Sequence, residues 1–465
     1  LVGEGNYLEA LKVITERNPL PFITGTLCAH HCMDKCTRRC YEKSVEIRDS
    51  KLVAAKGGYE ELMKSLQKPK KASSDIRVAV VGGGPAGISA AYFLARAGVD
   101  VTVFEKRAQL GGIVGHVIPV FRIPTTAIEK DIALAQAMGA KFQCGVEVTS
   151  AKDLKKKGFT HIIFANGAWK PGRLTLEYGN TVNALEFLEQ CKSDPDDVNL
   201  GENVVVIGGG NTAMDAARTA KRVEGVKQVR LVYRRSKRYM PADEEELSLA
   251  LGDGVEFCEL LSPVGLKDGV LTCHKMELGA PDASGRRRPV DTGKVVEVPA
   301  DTVIAAVGER IDEDLYASNG IKLSERGKAE VNADTFETNV PGVYVVGDAN
   351  RGPATVVEAI ADAMKAAKAI TEITTDTYVD LNVNPDNGPA YRKKGVLYSD
   401  CSECSEGERC LECSTVCECC VDVCPNRANI AISVKGKPMH QIIHVDGMCN
   451  ECGNCATFCP YDSRP

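Results

Sequence analysis

Residues 78–87 read Val78-Ala79-Val80-Val81-Gly82-Gly83-Gly84-Pro85-Ala86-Gly87, a β-branched run that ends in a G-x-G-x-x-G turn. The run suits a strand buried on both faces of a parallel sheet. Glycines at this spacing allow a tight turn, close backbone approach to a pyrophosphate, and helix–strand packing. A helix over 88–97 should follow, with its N-terminus favouring phosphate charge. A second strand, Val101-Thr102-Val103-Phe104, ends in Glu105, 18 residues beyond Gly87. That is where an acid hydrogen-bonds a ribose 2′-hydroxyl. A purely structural tight turn would explain the glycines alone; the full strand–turn–helix–strand–Glu unit predicts a dinucleotide site.

The unit recurs downstream. After Val204-Val205-Val206-Ile207 comes Gly208-Gly209-Gly210-Asn211-Thr212-Ala213, a G-x-G-x-x-A turn. Its second strand, Val229 to Tyr233, ends in Arg234-Arg235 where NAD would call for an acid. A guanidinium chelates phosphate bidentately, so this pair matches the 2′-phosphate of NADP; the bland alternative is a solvated pair at a strand end. Two such folds imply two nucleotides, and Glu105 in the first suits FAD. A third apolar strand runs into Gly347-Asp348, whose carboxylate can hold a ribityl chain. The helix beginning at Thr355 and Val356 can aim its N-terminus at the flavin's N1/O2 edge.

A chain of 465 residues is too long for one core. The expected architecture is multidomain α/β with two Rossmann-like domains. It comprises a helical N-terminal iron–sulfur domain (1–70), an FAD domain in two parts (71–170 and 331–375), an NAD(P) domain (171–330), a linker (376–398) and a bacterial-ferredoxin-like 2[4Fe–4S] domain (399–465). A net charge of −6 and 5% aromatics, with Trp169 the single tryptophan, argue against nucleic-acid or membrane partners. The apolar stretch Ile76 to Val99 is interrupted by Gly82, Gly83, Gly84, Pro85 and Gly87, which suits a strand–turn–helix better than a membrane span. Leu1 to Leu27 lacks a signal-peptide pattern, and Leu1 in place of Met points to a fragment or a processed form.

Sixteen of the 20 cysteines sit in two patches. With no export signal visible, this points to cluster or metal ligation in a reducing cytoplasm. Cys449-x2-Cys452-x2-Cys455-x3-Cys459-Pro460 has the spacing of a ferredoxin [4Fe–4S] run, and Cys413-x3-Cys417-x2-Cys420-x3-Cys424-Pro425 is its partner, one residue longer in the first gap. The fourth cysteine of each run ligates the other cluster in two-cluster ferredoxins. One cluster is therefore expected on Cys413, Cys417, Cys420 and Cys459, the other on Cys449, Cys452, Cys455 and Cys424. Thiolates suit zinc as well, but the paired Cys-Pro endings favour iron. Cys28, Cys32, Cys36 and Cys40 would hold a third [4Fe–4S] cluster, with zinc as the alternative. Cys401, Cys404, Cys410 and Cys419 stay unassigned. Cys144, Cys191, Cys258 and Cys273 stand alone and read as ordinary buried thiols. His30 and His31 read as supporting or surface residues.

Further motifs carry a family resemblance: Asn18-Pro19-x-Pro21, the Cys-x3-Cys-x3-Cys series, Glu105-Lys106, Gly111-Gly112, Ile118-Pro119-x-Phe121-Arg122-Ile123-Pro124, Tyr233-Arg234-Arg235, Met240-Pro241-Ala242 and Gly347-Asp348. From about Leu20 to Thr371 the chain resembles the small subunit of bacterial glutamate synthase and its relatives. Those include the flavin-and-cluster half of dihydropyrimidine dehydrogenase and the large subunit of NADH-dependent ferredoxin:NADP oxidoreductase. With the tail added, it resembles the flavoproteins labelled selenate reductase subunits, associated with molybdenum hydroxylase systems. The resemblance implies FAD on the first unit and NAD(P)H on the second. It puts Lys106, Gly112 and Arg122 by the flavin, and Met240-Pro241-Ala242 by the nicotinamide nucleotide. Cys40 departs from it, since relatives often lack a cysteine there.

Together these readings predict an oxidoreductase in which NAD(P)H passes hydride to flavin, and electrons go singly through clusters to a partner subunit or, in reverse, to NAD(P)⁺. Hydride transfer asks the protein for positioning and needs no acid–base side chain. Disulfide chemistry would need a CxxC within 171–330, which has none. An electron-bifurcating subunit, or a purely conducting one without nicotinamide chemistry, shares the same motifs.

Overall fold

The structure is a computed structural model. It describes the chain except residues 35, 41, 71–74, 173, 282–286, 372–405, 411–418, 433, 435–440 and 458–465, and the side chains of Thr37, Cys40, Cys419 and Asp422. The expected linker and Cys401, Cys404, Cys413, Cys417 and Cys459 therefore lie outside the described residues. By contact, Leu1–Leu66 with Glu372–Pro465 form one compact unit and Gln67–Thr371 a second. No helix among the described residues is long and apolar enough to cross a membrane.

The second unit is built on two parallel five-stranded sheets. The first runs in the order Val343–Val345, His161–Phe164, Arg77–Val81, Asp100–Glu105, Lys141–Cys144. The second runs Val182–Asn183, Thr302–Ala305, Asn203–Ile207, Gln228–Tyr233, Glu256–Glu259. Their central strands are the two β-branched runs, with Val78, Val80, Val204 and Val206 fully buried, as strands covered on both faces require. Each central strand feeds a helix through its glycine turn, Pro85–Arg96 in the first case and Asn211–Ala220 in the second. The chain passes between the sheets along an antiparallel ribbon of Lys170–Pro171 and Glu309–Arg310. Past that ribbon, Ile311, Tyr316, Ile321 and Ala329 pack into the core of the first sheet, so the chain returns to it well before residue 331. A three-stranded antiparallel sheet (Leu261–Lys267, Val270–Pro281, Arg287–Pro299) extends the second half.

In the first unit, helices Tyr7–Arg17, Pro21–Leu27 and Ile47–Ser65 bury Leu11, Leu20, Ile23, Ala54 and Ala55 completely. Asn18-Pro19-Leu20-Pro21 stops the first helix, and Pro21 starts the second at a position where its missing N–H costs nothing. Arg38 and Arg409 are fully buried together. Arg409 donates to Glu406 at 2.8 and 2.6 Å, to Glu42 at 3.2 Å and to the carbonyl of Ser44 at 3.4 Å, while Arg38 donates to Glu42 and to the Arg409 carbonyl. Beyond this clamp, Asn429–Ile432 and Gln441–His444 pair as an antiparallel ribbon, accompanied by short helices Cys419–Asp422 and Asn454–Thr457.

Candidate functional site

The first glycine turn folds as it does because its first and last glycines admit no side chain. Gly82 has φ +110°, and a Cβ there would lie 2.5 Å from the Ala165 carbonyl oxygen. A Cβ on Gly87 would sit 1.9 Å from the Gly82 carbonyl oxygen. At Gly84, the residue before the helix, the nearest atom to a Cβ would be the Gly112 Cα at 3.6 Å, so the turn keeps an open approach for a ligand. Glu105 is buried at the end of its strand, where Oε2 accepts from the Gly83 N–H at 2.7 Å and Oε1 from the Arg107 N–H at 2.9 Å. These bonds fix the carboxylate against the turn.

A cavity of about 490 Å³ opens there, lined by Gly82, Gly84, Pro85, Ala86, Glu105, Lys106, Gly112, Asp348, Thr355 and Val356. Gly87 and Gly347 lie behind this surface; Gly347 takes φ +65° and packs so closely that a Cβ would be 2.8 Å from the Ala86 Cβ. Thr355 caps helix Val356–Thr371 in a reciprocal box: its Oγ1 donates to Glu358 at 2.8 Å, its N–H to the same carboxylate at 2.9 Å, and the Glu358 N–H returns to Oγ1 at 3.3 Å. Burial pushes the Asp348 carboxyl up to about 7. Helices beginning at Pro85 and Val356 thus both start at this cavity, and the N-terminus of the first fits the pyrophosphate of FAD. Asn166, Trp169 and Lys170 line it too, and nothing in the local sequence pattern marked them. Tyr316 anchors that wall, its hydroxyl lying 3.1 Å from Asn166 Oδ1 and 3.0 Å from the Ala349 carbonyl oxygen, which share its one proton.

The second turn repeats the logic. A Cβ on Gly208 would come 2.3 Å from the Ala306 carbonyl oxygen, and one on Gly209 would strike the Tyr233 ring at 2.5 Å. Gly210 meets nothing within 4 Å, which leaves its face open to a dinucleotide. Asn211 pairs with Asp243, donating from Nδ2 at 2.9 Å and accepting its N–H at 3.0 Å; Thr212 donates to Glu309 at 3.2 Å. The Ala242 N–H reaches the Gly209 carbonyl at 3.0 Å, so Met240-Pro241-Ala242 folds over the turn. Arg234 is exposed at the strand end, while Arg235 is half-buried and held by its Nε on the Arg287 carbonyl at 3.1 Å. Arg122, expected by the flavin, does not line the cavity at the first turn: its guanidinium donates to Asp215 and Glu246.

Among the described residues no three His, Cys, Asp or Glu side chains are gathered to hold a metal ion. Cys28 and Cys36 are half-buried and Cys32 exposed at its surface; partial desolvation by its surroundings still raises the Cys32 thiol above its ordinary value, against the pull of Lys51 and with a smaller push from Cys28. In the tail, Cys424 accepts the Ala428 N–H at 3.1 Å and Cys449 the Glu451 N–H at 3.4 Å. Backbone N–H groups, that of Asn429 foremost, pull the Cys424 thiol below its ordinary value. Cys420 and Cys455 are half-buried and Cys452 exposed. Of the four isolated cysteines read as buried, only Cys273 is; Cys144 ends an edge strand and is exposed, and Cys191 and Cys258 are half-buried.

Two glycine cradles on successive parallel sheets define a protein with two dinucleotide-binding folds. Residues 76–363 match the family of pyridine nucleotide-disulphide oxidoreductases. The whole chain is 43% identical to YgfK of Escherichia coli (strain K12), a protein named as an oxidoreductase, and it spans 46% of that protein's length. It is 33% identical to the small chain of the NADPH glutamate synthase of Halomonas elongata, over 80% of this chain and 84% of the relative. In structure it is similar to FprA of Mycobacterium tuberculosis, solved in complex with NADPH, with TM-score 0.55 and 21% identity over 64% of this chain and 84% of that one; this likeness concerns the fold alone. The chain belongs to the pyridine nucleotide-disulphide oxidoreductase family, in the branch that holds the glutamate synthase small chain. Its two cradles are those of an NAD(P)H-dependent FAD oxidoreductase.

Proposed function

We propose that this chain is an electron-transfer subunit that oxidises NADPH on the second cradle, reduces FAD on the first, and delivers electrons through [4Fe–4S] clusters to a partner subunit. The observation that carries the reading is the two cradles within one compact unit, the second with Arg234 and Arg235 directly after its second strand, a pair suited to a 2′-phosphate. The NADPH glutamate synthase small chain, similar over most of its own length, supports both the nucleotide and the role as a subunit. When bound, the flavin supplies the step from two-electron hydride chemistry to one-electron transfer.

The residues of this chain then have positioning work. Gly82, Gly84, Pro85, Ala86, Gly87 and the helix they begin hold the FAD pyrophosphate, Glu105 faces its ribose, and Lys106 and Gly112 border it. Gly347, Asp348, Thr355 and Val356 serve the ribityl and isoalloxazine end. Gly208, Gly210, Asn211 and Thr212 form the NADPH cradle. Backbone donors on Cys424 and Cys449 are the surroundings a cluster thiolate needs, because hydrogen bonds to cluster sulfur tune potential. We assign one cluster to Cys413, Cys417, Cys420 and Cys459, another to Cys449, Cys452, Cys455 and Cys424, and a third to Cys28, Cys32, Cys36 and Cys40. The partner is a redox subunit, of the molybdenum hydroxylase type or similar.

The test is anaerobic analysis of iron, sulfide, zinc and flavin in the purified chain. About twelve iron and one FAD per chain are expected from three clusters of four irons. Eight iron with one zinc would make the N-terminal site structural. Absence of both flavin and iron from a folded chain would overturn the reading.

A further inference from the structure

Arg122 follows the first glycine unit in the chain, yet its charge is spent on the second. Nη1 donates to both oxygens of Asp215 at 2.9 Å and Nη2 donates to Glu246. Asp215 lies on helix Asn211–Ala220, the helix that starts the NADPH cradle, and Glu246 on helix Glu244–Gly252. Arg218 stands 3.8 Å from Glu246 and 2.7 Å from Asp253, which Arg222 also holds at 2.8 Å. Three cations thus balance three carboxylates. Side-chain exposure is 13% for Arg122, 6% for Asp215 and 10% for Glu246, so this inner trio is largely shut off from water, while Arg222, at 42%, closes the cluster from the solvent side.

The surrounding segment is held in the same direction. Phe121 lies under the guanidiniums of Arg218 and Arg222, at 4.9 and 4.3 Å from its ring centre. Val117 belongs to the apolar core of the second sheet, and Lys192 of that half donates to the carbonyls of Val114 at 3.3 Å and Ile118 at 2.6 Å. Covalently, however, the two nucleotide domains are joined through a ribbon of two residues on each strand. Domains joined by so slight a connection move unless an interface fixes them. Buried ion clusters are poor sources of stability but, once formed, are costly to break, which suits a geometric lock.

We infer that Arg122 is a positioning residue, the pin that docks the NADPH domain on the flavin domain so that hydride passes in one fixed arrangement. The inference rests on the two-nucleotide function proposed above. Displacement of reacting groups by about 1 Å can cost a hundredfold in rate, so a loosened pin should appear in turnover before binding.

The experiment uses the full chain loaded with FAD. Arg122→Met alone strands two buried carboxylates, so the decisive variant is Arg122→Met/Asp215→Asn/Glu246→Gln, which removes the pin and the stranded charge together. On rapid anaerobic mixing with NADPH, its flavin should bleach roughly tenfold or more slowly at saturation, with the half-saturating concentration nearly unchanged. Hydrogen exchange at the ribbon amides of Lys170, Glu309 and Arg310 should quicken by a similar factor. Arg122→Lys, which keeps the charge without the second nitrogen that lets the guanidinium bridge Asp215 and Glu246, should fall between. Wild-type bleaching in the triple variant, or wild-type exchange at the ribbon, would overturn the pin. If NADPH fails to bleach the wild-type flavin, the functional reading falls instead, and the exchange comparison still decides the docking.

Discussion

The nucleotide preference is proposed to rest on Arg234 and Arg235, and the structure distinguishes them: one is exposed, the other braced on the Arg287 carbonyl. A charge-assisted hydrogen bond is worth about 1.5–3 kcal/mol, so Arg234→Ala/Arg235→Ala should raise KM for NADPH roughly 10- to 100-fold. KM for NADH should hardly change, and steady-state kinetics with both nucleotides decides it. An equal rise for both would remove the 2′-phosphate role. Asp348 carries a pH signature. Its carboxyl is lifted by burial from 3.8 to about 7, so the folded chain holds this proton more tightly than the unfolded chain does. Stability from this group is therefore present in full below about pH 4 and lost as pH climbs to about 7. In flavin-free protein, Asp348→Asn should melt like wild type near pH 4 and above it near pH 8; a difference that stays flat with pH would show that Asp348 does not titrate this way. Glu105 and Asp348 were legible from their offsets past a strand. Arg122 was not, because its partners Asp215 and Glu246 lie 93 and 124 residues away and no local spacing encodes them.

At the scale of elements, the strand–glycine–helix units were legible because each is short-range: a buried β-branched run, then a turn that excludes side chains. The glycines nonetheless divide into two kinds that sequence does not separate. Gly87 is closed by its own turn, whereas Gly210 faces open space. Gly210→Ala should therefore keep the wild-type melting temperature and FAD content while weakening NADPH binding, measured by titration calorimetry. Gly87→Ala should lose FAD outright, since its Cβ would overlap a backbone carbonyl. Equal behaviour of the two variants would contradict this division. Thr355 was legible as a helix start, but its capping box needed Glu358 in place. Thr355→Ala should cost about 1 kcal/mol in chemical denaturation.

For the whole molecule, the motif order announced several domains, and contacts group the described residues into two units. The clamp of Arg38 and Arg409, 371 positions apart, was invisible to any local pattern. Cysteine spacing remains the argument for the clusters, joined by the backbone donors on Cys424 and Cys449. Cys455→Ser should remove one tail cluster and leave flavin reduction by NADPH intact; loss of both together would make the tail structural for the core. The most direct measurement of the central claim is an anaerobic NADPH titration of the chain, flavin-loaded and flavin-stripped, following the iron–sulfur absorption. The account predicts that NADPH reduces the clusters only when FAD is present. Clusters that dithionite reduces but NADPH does not, with FAD bound, would contradict it.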